Sequence, residues 1–390
     1  MNLFNSSFIL NNKRFGWIDY DRGISIVLVT YRHCFESLGN SGIRLADFPF
    51  LNYINIFLFG FRMPLFFIAS GIFISTSIQK YGLAKYATNR VQTILHPLFV
   101  WGVIQISLQI IFSDYANTTT TPFYYLYLII DPRETAQFWY LNALFFVGII
   151  YSILKVNFKV KVWQQITIGL LLYFLLALLR MKNLYFGFVM DIFQYYLFFA
   201  LGDAIASFML NPDSAKIFSS RRLLLILLPL FITIQIFFTK INLAQQSNYF
   251  VEHHMPIFFL LVAFVGCALS INISFILKNT KKLPILRVIG YHSVHVYCMQ
   301  IIAMAAAKFL LIKIFGLTYP PLLVALILVL GLLLPMLAYN LFLRLNMWWL
   351  FSLKKPVEDI LFLKGKKTNQ KTTIQEVPKA KIIHLVRLED

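Results

Sequence analysis

Acidic residues are what this chain has least of. Asp and Glu together number 16 in 390 residues, and charged residues of all kinds make up 13%. Soluble domains carry about 25% charged residues, so this chain has too little charge to cover a water-facing surface. That argues against a soluble enzyme and against a free nucleic-acid-binding domain. Cysteine is scarce too. Cys34, Cys267 and Cys298 lie in apolar context with no CxxC pair, which argues against a disulfide framework. There is no Gly-rich phosphate loop of Walker type, no internal repeat and no second soluble domain. The first apolar run, Gly23–Thr30, lacks a small-residue cleavage pattern after it and is expected to stay in the mature protein.

What the chain has is apolar surface. Hydrophobic residues make up 59%, with 40 Phe and 20 Tyr. A bilayer is the natural solvent for such a composition. A spanning helix takes about 20 mostly apolar residues. Candidate spans fall near 23–39, 50–76, 91–113, 136–154, 162–179, 184–209, 223–239, 256–277, 288–311 and 319–348. The expected fold is therefore an all-α polytopic bundle of about ten transmembrane helices over 23–348. It is flanked by a polar segment, 1–22, and a basic tail, 349–390. The Thr- and Tyr-rich stretch 117–130 reads as an interfacial or re-entrant piece.

The net charge of +19 sits in short clusters between the apolar runs. Alternate connections and the tail hold 25 Lys and Arg, and the other connections hold 6. This is the pattern of the positive-inside rule, not of a nucleic-acid groove. It predicts both termini in the cytoplasm, no nucleic-acid partner, and a tail drawn to lipid headgroups.

Ionisable groups inside spans are costly and by default mark function. The set here is Arg32, His33, Glu36, Arg62, His96, Asp191, Asp203, His292, His295, Lys308 and Arg344. Asp203, His96 and Arg344 are placed where snorkelling to an interface would explain them. The first helix is the most unusual. Arg22 stands at its cytoplasmic mouth, and His33 follows eleven residues later, roughly 16 Å deeper at about 1.5 Å per residue. Eleven residues is close to three turns, so the two share a face. Glu36, three residues beyond, is placed to orient the imidazole. A cation at the mouth and a titratable ring at depth suit a molecule entering from the cytoplasm. A buried neutral histidine hydrogen-bonded to backbone remains the plainer alternative.

Further along, Arg62 needs a polar or anionic partner, with Glu36 and Asp191 the candidates within the spans. Pro64 is expected to kink or break its helix, and Ser70-Gly71 to allow close helix approach. Arg90 reads either as a phosphate contact or as a positive-inside anchor. Trp139 and Tyr140 open a span where interfacial aromatics are common. His253, His254 and Glu252, or His292 and His295, have metal-ligand chemistry, but three or four converging ligands are not evident, so no metal site is expected.

These segments resemble, in order over about residues 15–345, the acyltransferase-3 family of integral membrane O-acyltransferases, with the sugar O-acetylases of bacterial surface glycans nearest. The features that carry the resemblance are Asp19, Arg22 and His33 on the first helix, then Met63–Phe67 with Ser70-Gly71. Arg90 with Pro97, Trp139-Tyr140-Leu141, and Ile289–Ser293 with Tyr297 follow. Three positions depart from the family pattern: Arg62 and Gln300 stand where His is frequent, and Leu98 where an aromatic is common. The resemblance implies acyl-CoA as donor co-substrate, acetyl-CoA in the first instance, and no tightly bound cofactor. Asp19, Arg22 and Arg90 would serve the donor. His33 would act as general base or acyl carrier, with Glu36 orienting it and Arg62 or Ser293 meeting the oxyanion. Trp139, Tyr140, Tyr297 and Gln300 would meet the acceptor, a saccharide or lipid-linked saccharide. It implies a multi-pass protein of the bacterial cytoplasmic membrane. A glycan or lipid transporter and a non-catalytic relative are the competing readings.

Overall fold

The computed structural model describes residues 4, 6–11, 15–113, 119–211, 213 and 215–356. Most of the basic tail, and residues 117 and 118 of the Thr- and Tyr-rich stretch, lie outside these. Among the described residues there are helices and no strands. Nine helices among the described residues are long and apolar enough to cross a membrane. With the first helix, they are α1 (Gly16–Gly39), α2 (Pro49–Gly71), α3 (Ile74–Ile111), α4 (Pro132–Val156), α5 (Val162–Met181), α6 (Phe188–Leu210), α7 (Arg221–Ala244), α8 (Pro256–Thr280), α9 (Ser293–Ile314) and α10 (Pro320–Arg344). The chain is thus an integral, multi-pass, all-α membrane protein.

Helix α1 is the one that composition alone does not mark as a span. It runs 24 residues and begins at Gly16, not at 23, so Asp19, Asp21 and Arg22 lie within it and not in a polar leader. Each buried acid on it has a partner. Asp19 pairs with Arg287 at 3.4 Å, and Asp21 accepts from Ser270 at 3.0 Å and Ser274 at 3.4 Å. Those partners let the helix continue past its apolar run. Helix α1 packs against α2, α8, α9, α10 and the short helix Pro284–Tyr291. It is the centre of the bundle, and this explains why it can hold so many polar groups.

Helix α2 is discontinuous. It is helical over Pro49–Phe57 and Arg62–Gly71, with four non-helical residues between. Of the kink or break expected at Pro64 the structure has a break, a few residues before the proline. Pro64 itself falls in the first turn of the second half, where a missing N–H costs nothing. The interruption lies at the cavity described below, the kind of place where irregular backbone is tolerated at membrane depth. At the far end of the second half, Gly71 faces Gly202 of α6. A Cβ on Gly71 would lie 2.1 Å from the Phe199 carbonyl oxygen, and one on Gly202 would lie 2.2 Å from that of Ile68. The close approach expected at Ser70-Gly71 is therefore made with α6.

Helix α3 spans 38 residues, about 57 Å at 1.5 Å per residue, too long for a hydrocarbon core of about 30 Å. Gly82, at φ 76°, breaks it, and a π turn over Val91–Leu95 precedes the apolar part. Tyr124–Ile130, in the Thr- and Tyr-rich stretch, forms only a seven-residue helix.

Asp203 does not snorkel. Its carboxylate is buried between α3, α4 and α6, accepting from Lys155 at 2.6 Å, from Tyr151 at 2.7 Å and from Ser75. The acid reads as interfacial in the sequence because nothing near it along the chain supplies a cation. Lys155 comes from a different helix.

Candidate active site

The second half of α1 forms one wall of a cavity of about 260 Å³. At about 30 Å³ per water, that is room for roughly nine waters. It fits one sugar-sized group or the reactive end of a donor, not a whole coenzyme.

His33 lines this cavity, with its side chain 15% exposed. Its Nδ1 lies 3.6 Å from Glu36 Oε2, as the i, i+3 spacing required. Glu36 Oε1 accepts from Arg32 Nε at 2.7 Å. The carboxylate therefore faces both the ring, on its Nδ1 side, and a guanidinium.

The α2 interruption supplies the next wall. Phe59 and Gly60 precede Arg62, which is 2% exposed. Phe59 has a guanidinium on it from each helix: Arg32 at 5.2 Å and Arg62 at 4.8 Å from the ring centroid. Neither acid expected as a partner for Arg62 takes it. Glu36 is engaged by Arg32, and Asp191 by Arg133 at 2.9 and 2.5 Å. Arg62 Nη1 makes one long bond, 3.4 Å, to the Leu28 carbonyl, and Nη2 is buried without a partner.

The remaining wall is aromatic with charged flanks. Trp139 lines it, with Arg133 over its ring at 4.5 Å and Tyr195 at 5.5 Å. The segment leading into α4 is strained there: Ala136, a lining residue, sits at φ 60°, a region that favours glycine. Tyr249 and Glu252 close the cavity from the α7–α8 connection. Glu252 accepts from Gln194 and lies 3.8 Å from Arg180. Burial alone would push its carboxyl up, but Arg180, Arg133, His253 and the Gln194 bond outweigh burial and hold it below its usual range. It is an anion at neutral pH.

The other expected residues divide. Tyr297 lines the cavity. Tyr140 stands behind it, its ring 5.3 Å from Tyr297. Neither Arg22 nor Arg90 lines the cavity itself. Arg90 lies over Tyr86 at 4.9 Å in a second, smaller cavity of about 160 Å³. Asp19 is paired with Arg287. Ser293 is buried at the start of α9 and does not line the cavity. Gln300 accepts from Thr30 at 2.7 Å and also stands off it. Distance from the cavity thus separates Ser293 and Gln300 from His33.

Lining residues that sequence reasoning missed as site members include Phe59, Arg133, Tyr195, Tyr249 and Glu252. Arg133 stands in the first turn of α4, where it reads as an orientation signal, and Tyr249 and Glu252 sit in the α7–α8 connection, where Glu252 reads as a loop acid. Asp191, an acid within a span that demands a cation, was the available pointer to Arg133.

Residues 15–340 match the model of a family described as an acyltransferase domain, the acyltransferase-3 family. The chain belongs to that family. No curated protein and no solved structure matches it. The match covers α1 to α10 nearly whole, so this acyltransferase-3 protein is a membrane-embedded O-acyltransferase in which the bundle and the enzyme are one unit. His33, Arg62, Trp139 and Tyr297, from four different helices, meet in it at one cavity.

Proposed function

We propose that this acyltransferase moves an acyl group, acetyl in the simplest case, from acyl-CoA to a hydroxyl of a sugar in a surface glycan or lipid-linked saccharide. The observation that carries the reading is His33 in a cavity, backed by Glu36 at 3.6 Å.

The excess of Lys and Arg in alternate connections favours both termini inside, in a bacterial cytoplasmic membrane. In that orientation Arg22 and Arg90 face the cytoplasm, where they would meet the phosphates of acyl-CoA. Arg133 and Glu252 lie toward the outer face, the side of an exported saccharide. Aromatic rings flanked by charged and polar groups suit a sugar, whose faces stack and whose hydroxyls hydrogen-bond. Donor and acceptor would meet at His33 from opposite sides, with Tyr140 and Tyr297 between the cavity and the donor end.

In the direct route His33 takes the acceptor hydroxyl proton as the oxygen attacks the thioester carbonyl. The C–S bond breaks, and the thiolate of CoA leaves and takes up the proton. In the alternative route His33 attacks first and carries the acyl group as an acyl-imidazole before passing it to the hydroxyl. Glu36 steadies the cationic ring in both. Of the two groups expected at the oxyanion, Arg62 lines the cavity and Ser293 does not.

General-base catalysis contributes about 10²- to 10⁴-fold. Membranes carrying His33→Ala are expected to lose at least about a hundredfold of label transfer from radiolabelled acetyl-CoA to a glycan fraction, with insertion unchanged. Undiminished transfer by that variant retires the mechanism.

A further inference from the structure

The cavity holds a cation that the protein does not neutralise. Three acids lie in or beside it, and each is claimed by a different arginine: Glu36 by Arg32 at 2.7 Å, Asp191 by Arg133 at 2.5 Å, and Glu252 by Arg180 at 3.8 Å. Arg62 is the fourth arginine and the most buried of the set. Among the described residues no carboxylate lies within ion-pair distance of it. Glu36 and Glu252 act on it only at longer range, and Arg32 opposes them. Its contacts are one long bond to a carbonyl and the face of Phe59, and its Nη2 has no partner. A guanidinium stays charged in proteins, so deprotonation is no escape.

Nη2 itself is shut off from solvent, so water does not satisfy it, although Arg62 lines the cavity. A neutral ligand that fills the cavity leaves this buried cation stranded, whereas an anionic one supplies its counter-charge. The oxyanion of the transition state does not serve here, because it exists only while the bond is changing and the bound state must be stable before that.

We propose that the group seated opposite Arg62 is a fixed anion, a carboxylate or phosphate, carried by the ligand itself. This rests on the acyl-transfer reading for the ligand's identity but not for the charge. Two sources have this chemistry. One is an acidic acceptor, a uronic acid or phosphorylated sugar. The other is the acyl group of a dicarboxylic donor such as succinyl-CoA, whose far carboxylate would reach Arg62 while its thioester carbonyl lies at His33. Arg62 also explains why a histidine would not serve at this position. Neutral imidazole presents one donor, and guanidinium presents a fork of donors that matches carboxylate and phosphate.

The test uses the full-length protein purified in detergent, in wild-type, Arg62→Lys and Arg62→Gln forms. In the acceptor arm, affinities for methyl glucuronide and glucose 6-phosphate are compared with that for methyl glucoside, read as thermal-unfolding shifts across a titration. In the donor arm, label transfer from radiolabelled succinyl-CoA is compared with that from acetyl-CoA. The expected result is a preference of at least about tenfold, 1.4 kcal/mol, for the anionic member of one arm. That preference is retained in part by Arg62→Lys and falls toward unity in Arg62→Gln. The arm that responds names the source. Equal handling of charged and neutral members in both arms overturns the proposal, as does a preference that survives in Arg62→Gln. Should Arg62→Gln fail to yield monodisperse protein, the wild-type comparison and Arg62→Lys still decide. Absence of transfer from either donor, with the binding preference intact, would sink the enzymatic reading and leave the anion site standing.

Discussion

Arg22 and His33 illustrate two kinds of legibility at the scale of single residues. Both stand out because a charge or an imidazole on an apolar helix is costly and by default marks function. His33 lines a cavity, while Arg22 is half-buried on the same helix and does not line it. If Arg22 serves the donor phosphates, losing one charge-assisted contact of about 1.5–3 kcal/mol raises the apparent donor KM of Arg22→Ala by about tenfold or more. The acceptor KM stays put. Initial rates against acetyl-CoA concentration check this, and an unchanged donor dependence would leave Arg22 as an orientation signal only. Residues such as Tyr249, Glu252 and Arg133 were not legible in this way. Their chemistry is ordinary for a loop or a helix end, and only the fold brings the start of α4 and the α7–α8 connection to one cavity.

Helices were readable wherever composition and length agree. Nine expected spans correspond to long apolar helices, and the tenth, α1, was expected over 23–39 from its apolar run, although its polar residues keep it below the composition of the others. Its start was not legible, since the partners that keep Asp19 and Asp21 in the interior, Arg287 and Ser270, are some 250 residues away in the chain. The break in α2 was legible as a disturbance but misplaced onto Pro64. The crossing of α2 and α6 depends on two glycines back to back. Gly202→Val would place branched carbon where the Ile68 carbonyl oxygen is only 2.2 Å from the first added atom. Overpacking costs typically about 1–3 kcal/mol, and here the obstacle is backbone, so a loss at the upper end is expected. Thermal unfolding of the purified variant measures it. Full retention of wild-type stability would mean that the helices separate more easily than the packing implies.

For the whole molecule, the scarcity of acids acquires a meaning once their places are known. Five of the 16, Asp19, Asp21, Asp191, Asp203 and Glu252, are buried and engaged by partners from other elements. These five carboxylates hold helices together, and the net charge of the sequence is +19. Were the basic surplus to face headgroups, as the positive-inside pattern favours, phospholipid phosphates would act as a removable shell of counter-ions. With about 1 kcal/mol per surface Lys or Arg at stake, adding phosphatidylglycerol to delipidated protein is expected to raise its unfolding temperature more than phosphatidylcholine does, and high salt to erase the difference. Indifference to headgroup charge would mean that the basic connections serve insertion alone. A purification that strips this shell would take away part of the protein's own charge balance along with the membrane.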